Sequence, residues 1–112
     1  MRAASLAAVI AILALSGCGG SKSPHHATTT QHQIHLTAFE KHGKAIFIST
    51  CGACHTLADA GTTGTAGPLL RPSWAASRVR LAIESGPGAM PPNLVTGRNA
   101  RAVARYVEAA TW

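Results

Sequence analysis

The five residues Cys51-Gly52-Ala53-Cys54-His55 constrain this chain more than any other feature of its sequence. Two cysteines two residues apart, followed at once by a histidine, are typical of the covalent attachment of a c-type haem. The thiols add to the two vinyl groups of the macrocycle, and the imidazole then lies beneath the iron as an axial ligand. The motif therefore predicts one haem c bound to Cys51 and Cys54, with His55 as an iron ligand.

Two other uses of paired cysteines are less favoured by the surrounding sequence. A thioredoxin-type redox motif occurs in a βαβ context, and no such strand pattern flanks this motif. A structural zinc site needs about four ligands, and the sequence has no second pair of cysteines. The composition agrees with haem, because a chain of 112 residues with 4% aromatic residues usually needs a cofactor, a metal or disulfides to complete its core.

The first residues indicate export. A positive start is followed by an apolar run at residues 6–15, which is too short to span a bilayer and is typical of a signal peptide. The next residues, Leu15-Ser16-Gly17-Cys18, resemble the lipobox of bacterial lipoproteins. The resemblance implies a signal peptide over residues 1–17 and a lipid on Cys18 that holds the protein at the outer, periplasmic or extracytoplasmic, face of the cytoplasmic membrane. An ordinary secretory signal and an uncleaved anchor are the alternatives.

The cysteine count supports lipidation, because a lipid on Cys18 and two thioethers account for all three thiols. Residues 18–36 are rich in His, Thr and Ser, show no helical or strand period, and predict a flexible tether. The histidines of this segment are an alternative site for copper or zinc, although no spacing places them on one ordered face; they are His25, His26, His32 and His35.

The residues before the motif predict a helix over residues 38–49. Thr37 and Glu40 have the spacing of a capping box, and apolar or small residues then recur at helical intervals: Phe39, Gly43, Ile46 and Phe47. With this helix leading into the motif, the chain resembles the class I c-type cytochromes, the small monohaem proteins with His and Met axial ligands. In that family a Gly and an aromatic residue lie where the first and last helices cross, and Gly43 and Phe47 match them.

The same resemblance supplies the remaining site residues. Gly67-Pro68-Leu69 is similar to the family's Gly-Pro-x-Leu segment, which implies that the Pro68 carbonyl accepts the second ring N–H of His55. Met90 lies before a proline in a Gly/Pro-rich loop, as the axial methionine of the family does, and is the one methionine left after signal removal. The resemblance implies that Met90 is the sixth iron ligand. A bis-histidine site that uses His35 or His42 is the alternative.

Two further helices are predicted over residues 77–85, with Gly86 as the stop, and 97–110, with Thr96 as the cap. Apolar residues of the last helix are expected to pack on the first, with Tyr106 or Val107 opposite Gly43 and Phe47. The fold class implied is all-α, a cytochrome c fold of three to four short helices around one haem over residues 37–112.

The Gly/Thr-rich segment 56–66 is expected to leave one wall of the site thin. Trp74 and Arg71 are candidates to approach the haem edge or propionates.

These features favour electron transfer over catalysis. A haem with both axial positions filled has no open site for a substrate, so we expect no enzyme activity. The formal net charge of +6 indicates redox partners with acidic docking faces and offers no basic run for nucleic acid. The stripe of Arg98, Arg101 and Arg105 is either a solvated face or part of such a docking patch. A dedicated haem subunit of a membrane oxidase or dehydrogenase is the alternative to a free carrier between respiratory-chain partners.

Overall fold

The computed structural model describes residues 34–71 and 73–112. It contains α1 (Ala38–Ile46), β1 (Thr56–Leu57), β2 (Thr62–Thr63), α2 (Ala76–Ser85) and α3 (Gly97–Thr111). In these residues no helix is long and apolar enough to cross a membrane. The predicted signal peptide, Cys18 and nearly all of the predicted tether lie outside them.

The predicted capping box starts α1. The Glu40 amide donates to the Thr37 hydroxyl at 3.2 Å, and the Thr37 amide donates to the Glu40 carboxylate at 2.8 Å. Two amides that would lack helical partners are thereby satisfied. After Ile46 the helix widens into a π-helical turn, Phe47–Cys51, so the helical backbone reaches the first cysteine of the motif. Such turns often occur at functional sites.

The crossing of α1 and α3 forms the centre of the domain. A Cβ atom placed on Gly43 would lie 2.0 Å from the Ala102 carbonyl oxygen, so glycine is required for the two backbones to approach. One turn further, the rings of Phe47 and Tyr106 meet edge to face with centroids 5.9 Å apart. Tyr106 or Val107 was predicted opposite Gly43 and Phe47. Tyr106 does pack on Phe47, whereas Ala102, one turn earlier, lies opposite Gly43.

The second helix is fixed at both ends. Glu108 of α3 accepts a hydrogen bond from the Ala76 amide at 3.0 Å and is itself paired with Arg105 at 2.7 Å. A side chain from another helix thus satisfies the first turn of α2, whose own N-cap residue, Ala75, provides no side-chain bond. At the other end Gly86 adopts the left-handed conformation, with φ of 59°, and stops the helix as predicted.

The helices begin and end close to their predicted bounds, and the all-α cytochrome c fold is confirmed. The short antiparallel ladder was not predicted: Thr56 pairs with Thr63 and Leu57 with Thr62. The core joins α1, the π-helical turn, the ladder, α2 and α3, and its larger buried side chains are Phe47, Leu57, Ile83, Val103, Tyr106 and Val107.

Candidate haem-binding site

The two cysteines at and after the end of the π-helical turn lie in different environments. The backbone hydrogen bonds of the turn continue into the motif. The Gly52 amide donates to the Phe47 carbonyl at 2.8 Å, and the His55 amide donates to the Cys51 carbonyl at 2.9 Å. Cys51 is 9% exposed and belongs to the core, whereas Cys54 is exposed, and neither is in a disulfide. The motif therefore presents one thiol from the protein interior and one from the surface.

The chemistry of Cys51 helps to separate the possible uses of this pair. Burial, and secondarily the nearby Cys54, raises the pKa of the Cys51 thiol to about 11. Redox-active and metal-binding cysteines require the thiolate and usually have a lowered pKa. In the described residues, no group of three or more His, Cys, Asp and Glu side chains could hold a metal ion. The raised pKa disfavours the thioredoxin-type interpretation, and the absence of such a group among the described residues disfavours a multi-ligand zinc site.

The imidazole of His55 is held in one orientation. Its Nδ1 lies 3.0 Å from the Pro68 carbonyl oxygen, the contact predicted for these residues. A carbonyl only accepts, so Nδ1 carries the proton and Nε2 is the nitrogen left to bind a metal. Gly67 lies directly against the ring, since a Cβ there would be 2.5 Å from Cε1. Glycine at 67 thus creates the space in which the ring is seated.

Met90 lies in a loop that folds back on the end of α2. A Cβ on Gly86 would be 2.5 Å from both the Met90 carbonyl oxygen and the Pro92 nitrogen, and the Asn93 amide donates to the Ile83 carbonyl at 2.7 Å. The Met90 side chain is partly buried and packs against the core. The loop is therefore a fixed support for a thioether.

The other residues singled out in the sequence have different surroundings. His42, an alternative ligand, bonds Asn99 of α3 at 3.0 Å on the exposed side of α1, and His35 is exposed. Trp74 is half-buried beneath the guanidinium of Arg78, and Arg71 is exposed. Of the α3 arginines, Arg98 lies over the ring of Phe39 and Arg105 pairs with Glu108. Of the other tether histidines, His25, His26 and His32 lie outside the described residues.

Segment 56–66, expected to leave one wall of the site thin, packs closely on the backbone of the motif. A Cβ on Gly64 would meet the backbone of Ala53 and Cys54 at 2.6–2.7 Å, and the Gly67 amide donates to the Cys54 carbonyl at 2.7 Å. Thr62 also contacts the motif, through its hydroxyl and its methyl group. Sequence reasoning did not single out Thr62 or Gly64. The only available signal was the run of small residues, which is equally typical of a loose loop.

These residues fit a covalently bound haem. The motif supplies two unpaired thiols and an imidazole whose Nδ1 is bonded to the Pro68 carbonyl, and the loop after α2 carries the partly buried thioether of Met90. Soft sulfur and imidazole donors suit iron in a haem. Glycine at 67 provides the space that the His55 imidazole needs.

Comparison with known proteins agrees with this site. A family model described as cytochrome c oxidase, cbb3-type, subunit III matches residues 38–107. Among solved structures, the c-type cytochrome SorU from Sinorhizobium meliloti is similar, with 38% identity and a TM-score of 0.59 over 65% of this chain and 91% of that chain. No curated protein matches the chain. The chain belongs to the c-type cytochrome family that this model describes, and it is a class I monohaem c-type cytochrome with covalently bound haem c.

Proposed function

We propose that this cytochrome is tethered to a membrane by a lipid on Cys18 and carries single electrons between respiratory-chain partners. Haem iron, when bound, supplies reversible one-electron oxidation and reduction. Cys51 and Cys54 would hold the macrocycle, and His55 and Met90 would be the ligands to its iron. The observation that carries the proposal is the Nδ1–Pro68 bond, because it leaves Nε2 of His55 as the metal-binding nitrogen.

The protein's own residues prepare electron transfer by limiting rearrangement. Pro68 holds the imidazole, Gly67 seats it, and the loop folded on α2 supports Met90. Ligands held in this way would move little when a bound iron gains or loses an electron. With both axial positions filled, we expect no substrate turnover.

A reduced-minus-oxidised spectrum with a redox titration of the mature protein tests haem type and axial pair together. We expect a c-type spectrum, a Met–iron band in the oxidised form and no binding of carbon monoxide by the reduced form at neutral pH. Met90→Ala should lose the band, lower the reduction potential and bind carbon monoxide, because a thioether favours ferrous iron and closes the sixth position. An unchanged spectrum and potential in Met90→Ala would refute the ligand assignment.

The membrane tether is supported by the lipobox resemblance and by the odd cysteine. Mass spectrometry of the purified protein should show an acylated N-terminal Cys18, and Cys18→Ser should move the haem protein from the membrane fraction to the soluble exported fraction. Recovery of unlipidated wild-type protein in the cytoplasm would contradict both the anchor and the proposed location at the outer face of the cytoplasmic membrane.

Redox partners with acidic docking faces are supported by the charges of the domain. The chain carries ten Lys and Arg against four Asp and Glu. All four carboxylates are already engaged: Glu40 in the cap of α1, Asp59 with Lys44, Glu84 with Arg80 and Glu108 with Arg105. The remaining basic side chains would steer the protein towards negative surfaces.

A second candidate is a dedicated haem subunit of a membrane oxidase or dehydrogenase complex. The observation that favours it is the description of the matching family model, which names an oxidase subunit. Purification in mild detergent distinguishes the two, because a fixed subunit elutes with its enzyme at a constant ratio whereas a free carrier elutes alone.

A further inference from the structure

Thr62 of β2 makes three contacts that converge on the haem motif. Its hydroxyl donates to the His55 carbonyl at 2.9 Å and accepts the Leu57 amide at 3.0 Å. Its methyl group lies against Gly52, where a Cβ would be 2.5 Å away. One side chain thus joins the first variable residue of the motif, the main chain of the ligand histidine and the opposite strand.

The contact with His55 complements the one made by Pro68. The Pro68 carbonyl holds the ring through Nδ1, whereas Thr62 holds the main chain of the same residue. A side chain restrained only at its ring can still rotate with its backbone, and a backbone restrained alone leaves the ring free. Both restraints together determine the direction in which Nε2 points.

The ladder gives Thr62 a rigid base. Leu57, its partner in the ladder, is 2% exposed and packs in the core. On the same hairpin, the Thr56 hydroxyl donates to the Gly64 carbonyl at 2.8 Å. Positioning by packed and hydrogen-bonded neighbours is what holds ligands to the tolerances that metal sites need.

We propose that Thr62 is a positioning residue for the axial histidine and tunes the reduction potential through the strength of the Nδ1–Pro68 hydrogen bond. The inference rests on the proposed ligation of iron by His55. A strong hydrogen bond at Nδ1 makes Nε2 a more basic ligand to the iron, and a more basic ligand stabilises ferric iron. Loss of the Thr62 hydroxyl loosens His55, weakens that bond and therefore raises the potential.

The test compares Thr62→Val with Thr63→Val in the mature haem-loaded protein. Both remove one hydroxyl and retain the branched shape, but Thr63 is exposed and makes no hydrogen bond to the motif among the described residues. We expect Thr62→Val to shift the equilibrium between ferric and ferrous iron towards ferrous by at least threefold. This is a rise in the reduction potential of about 28 mV, at 59 mV per tenfold change. Thr63→Val should leave the potential unchanged, and Thr62→Ser, which keeps the hydroxyl, should restore it.

A second readout separates positioning from simple packing. Hydrogen exchange of the Leu57 amide should become faster in Thr62→Val, because that amide loses its acceptor. Faster exchange with an unchanged potential would overturn the proposal, and so would equal shifts in the two valine variants. If Thr62→Val yields no haem protein, Thr62→Ser and Thr62→Ala also differ by one hydroxyl, and equal potentials in that pair would overturn it.

Failure of the ligand assignment gives a different result. In that case the wild-type protein itself lacks the spectrum of a His/Met haem, whereas failure of the Thr62 proposal leaves the wild-type spectrum intact and removes only the difference between variants.

Discussion

At the scale of the residue, Asp59 is the point where three parts of the fold meet. Its carboxylate accepts the Tyr106 hydroxyl at 2.7 Å and pairs with Lys44 at 3.0 Å. The turn after β1 is thereby tied to both α1 and α3. Because burial and the Asp59 carboxylate both disfavour the phenolate, the pKa of Tyr106 lies well above its ordinary value.

The shifted pKa of Tyr106 predicts a loss of stability in alkali. Below about pH 10 the tyrosine is protonated in both folded and unfolded protein and contributes no pH dependence. Above that pH only the unfolded state releases the proton, so the free energy of unfolding should fall as pH rises. Urea unfolding of the ferrous protein at pH 8 and pH 10.5 measures the fall.

Tyr106→Phe is the matched variant for this prediction. It should be less stable at pH 8 by about 1–3 kcal/mol, since a hydrogen bond to a charged group is lost, and should show a smaller fall in alkali. The chain has one tyrosine, so a single ¹³Cζ signal reports its titration. A phenol that titrates near pH 10 in the folded protein would contradict the prediction.

The roles of residues that depend on nearby sequence could be predicted without the structure. Thr37 and Glu40 are three positions apart, and the motif residues Cys51 to His55 are consecutive, so spacing alone was informative. The contact of Pro68 with His55 followed from family resemblance. Thr62 and Asp59 could not be predicted, because what they do depends on which distant backbone groups the fold brings within hydrogen-bond reach.

At the scale of the element, the helices were predictable and their ends less so. Helical periodicity and terminal signals such as Gly86 located α1, α2 and α3. The π-helical turn and the two-residue ladder leave no periodic pattern, being only five and two residues long. The cap of α2 also escaped prediction, since Glu108 belongs to another helix.

The crossing of α1 and α3 predicts a large effect for a small substitution. Gly43→Ala places a methyl group against the Ala102 carbonyl and the Val103 amide nitrogen. Backbone atoms cannot move aside as a flexible side chain can, so we expect a loss of about 3 kcal/mol in the free energy of unfolding. Lys41→Ala, at an exposed position of the same helix, should change it by less than about 0.5 kcal/mol. Similar values for both variants in denaturant unfolding would show that the helices are not in close contact.

At the scale of the whole molecule, the charged residues and the candidate haem ligands lie largely in different segments of the chain. Between residues 48 and 70 the only Asp, Glu, Lys or Arg is Asp59, and between residues 85 and 97 there is none. The basic residues lie mainly on the three helices. The segments that contain the motif and Met90 are therefore nearly uncharged. Any electrostatic attraction of a partner must come from the basic side chains of the helices, which act at longer range.

A field of this kind should give opposite salt effects with oxidants of opposite charge. Oxidation of the ferrous protein by ferricyanide should become slower as salt rises from about 0.01 M to 0.15 M, because the Debye length falls from about 30 Å to 8 Å. Oxidation by tris(phenanthroline)cobalt(III), a cation, should become faster. Stopped-flow rates that respond to salt in the same direction with both reagents would count against electrostatic steering.

The packing of α3 on α1 has a consequence for when the two thiols of the motif can be reached. A ribosome completes α1 and the cysteine motif well before it makes Ala102, the residue against which Gly43 must close. Until the last helix exists, Phe47 lacks the ring of Tyr106 and the incomplete chain cannot bury Cys51 in its final core. Both thiols are consequently accessible until the last helix packs, and closure of the final helix ends that period of access.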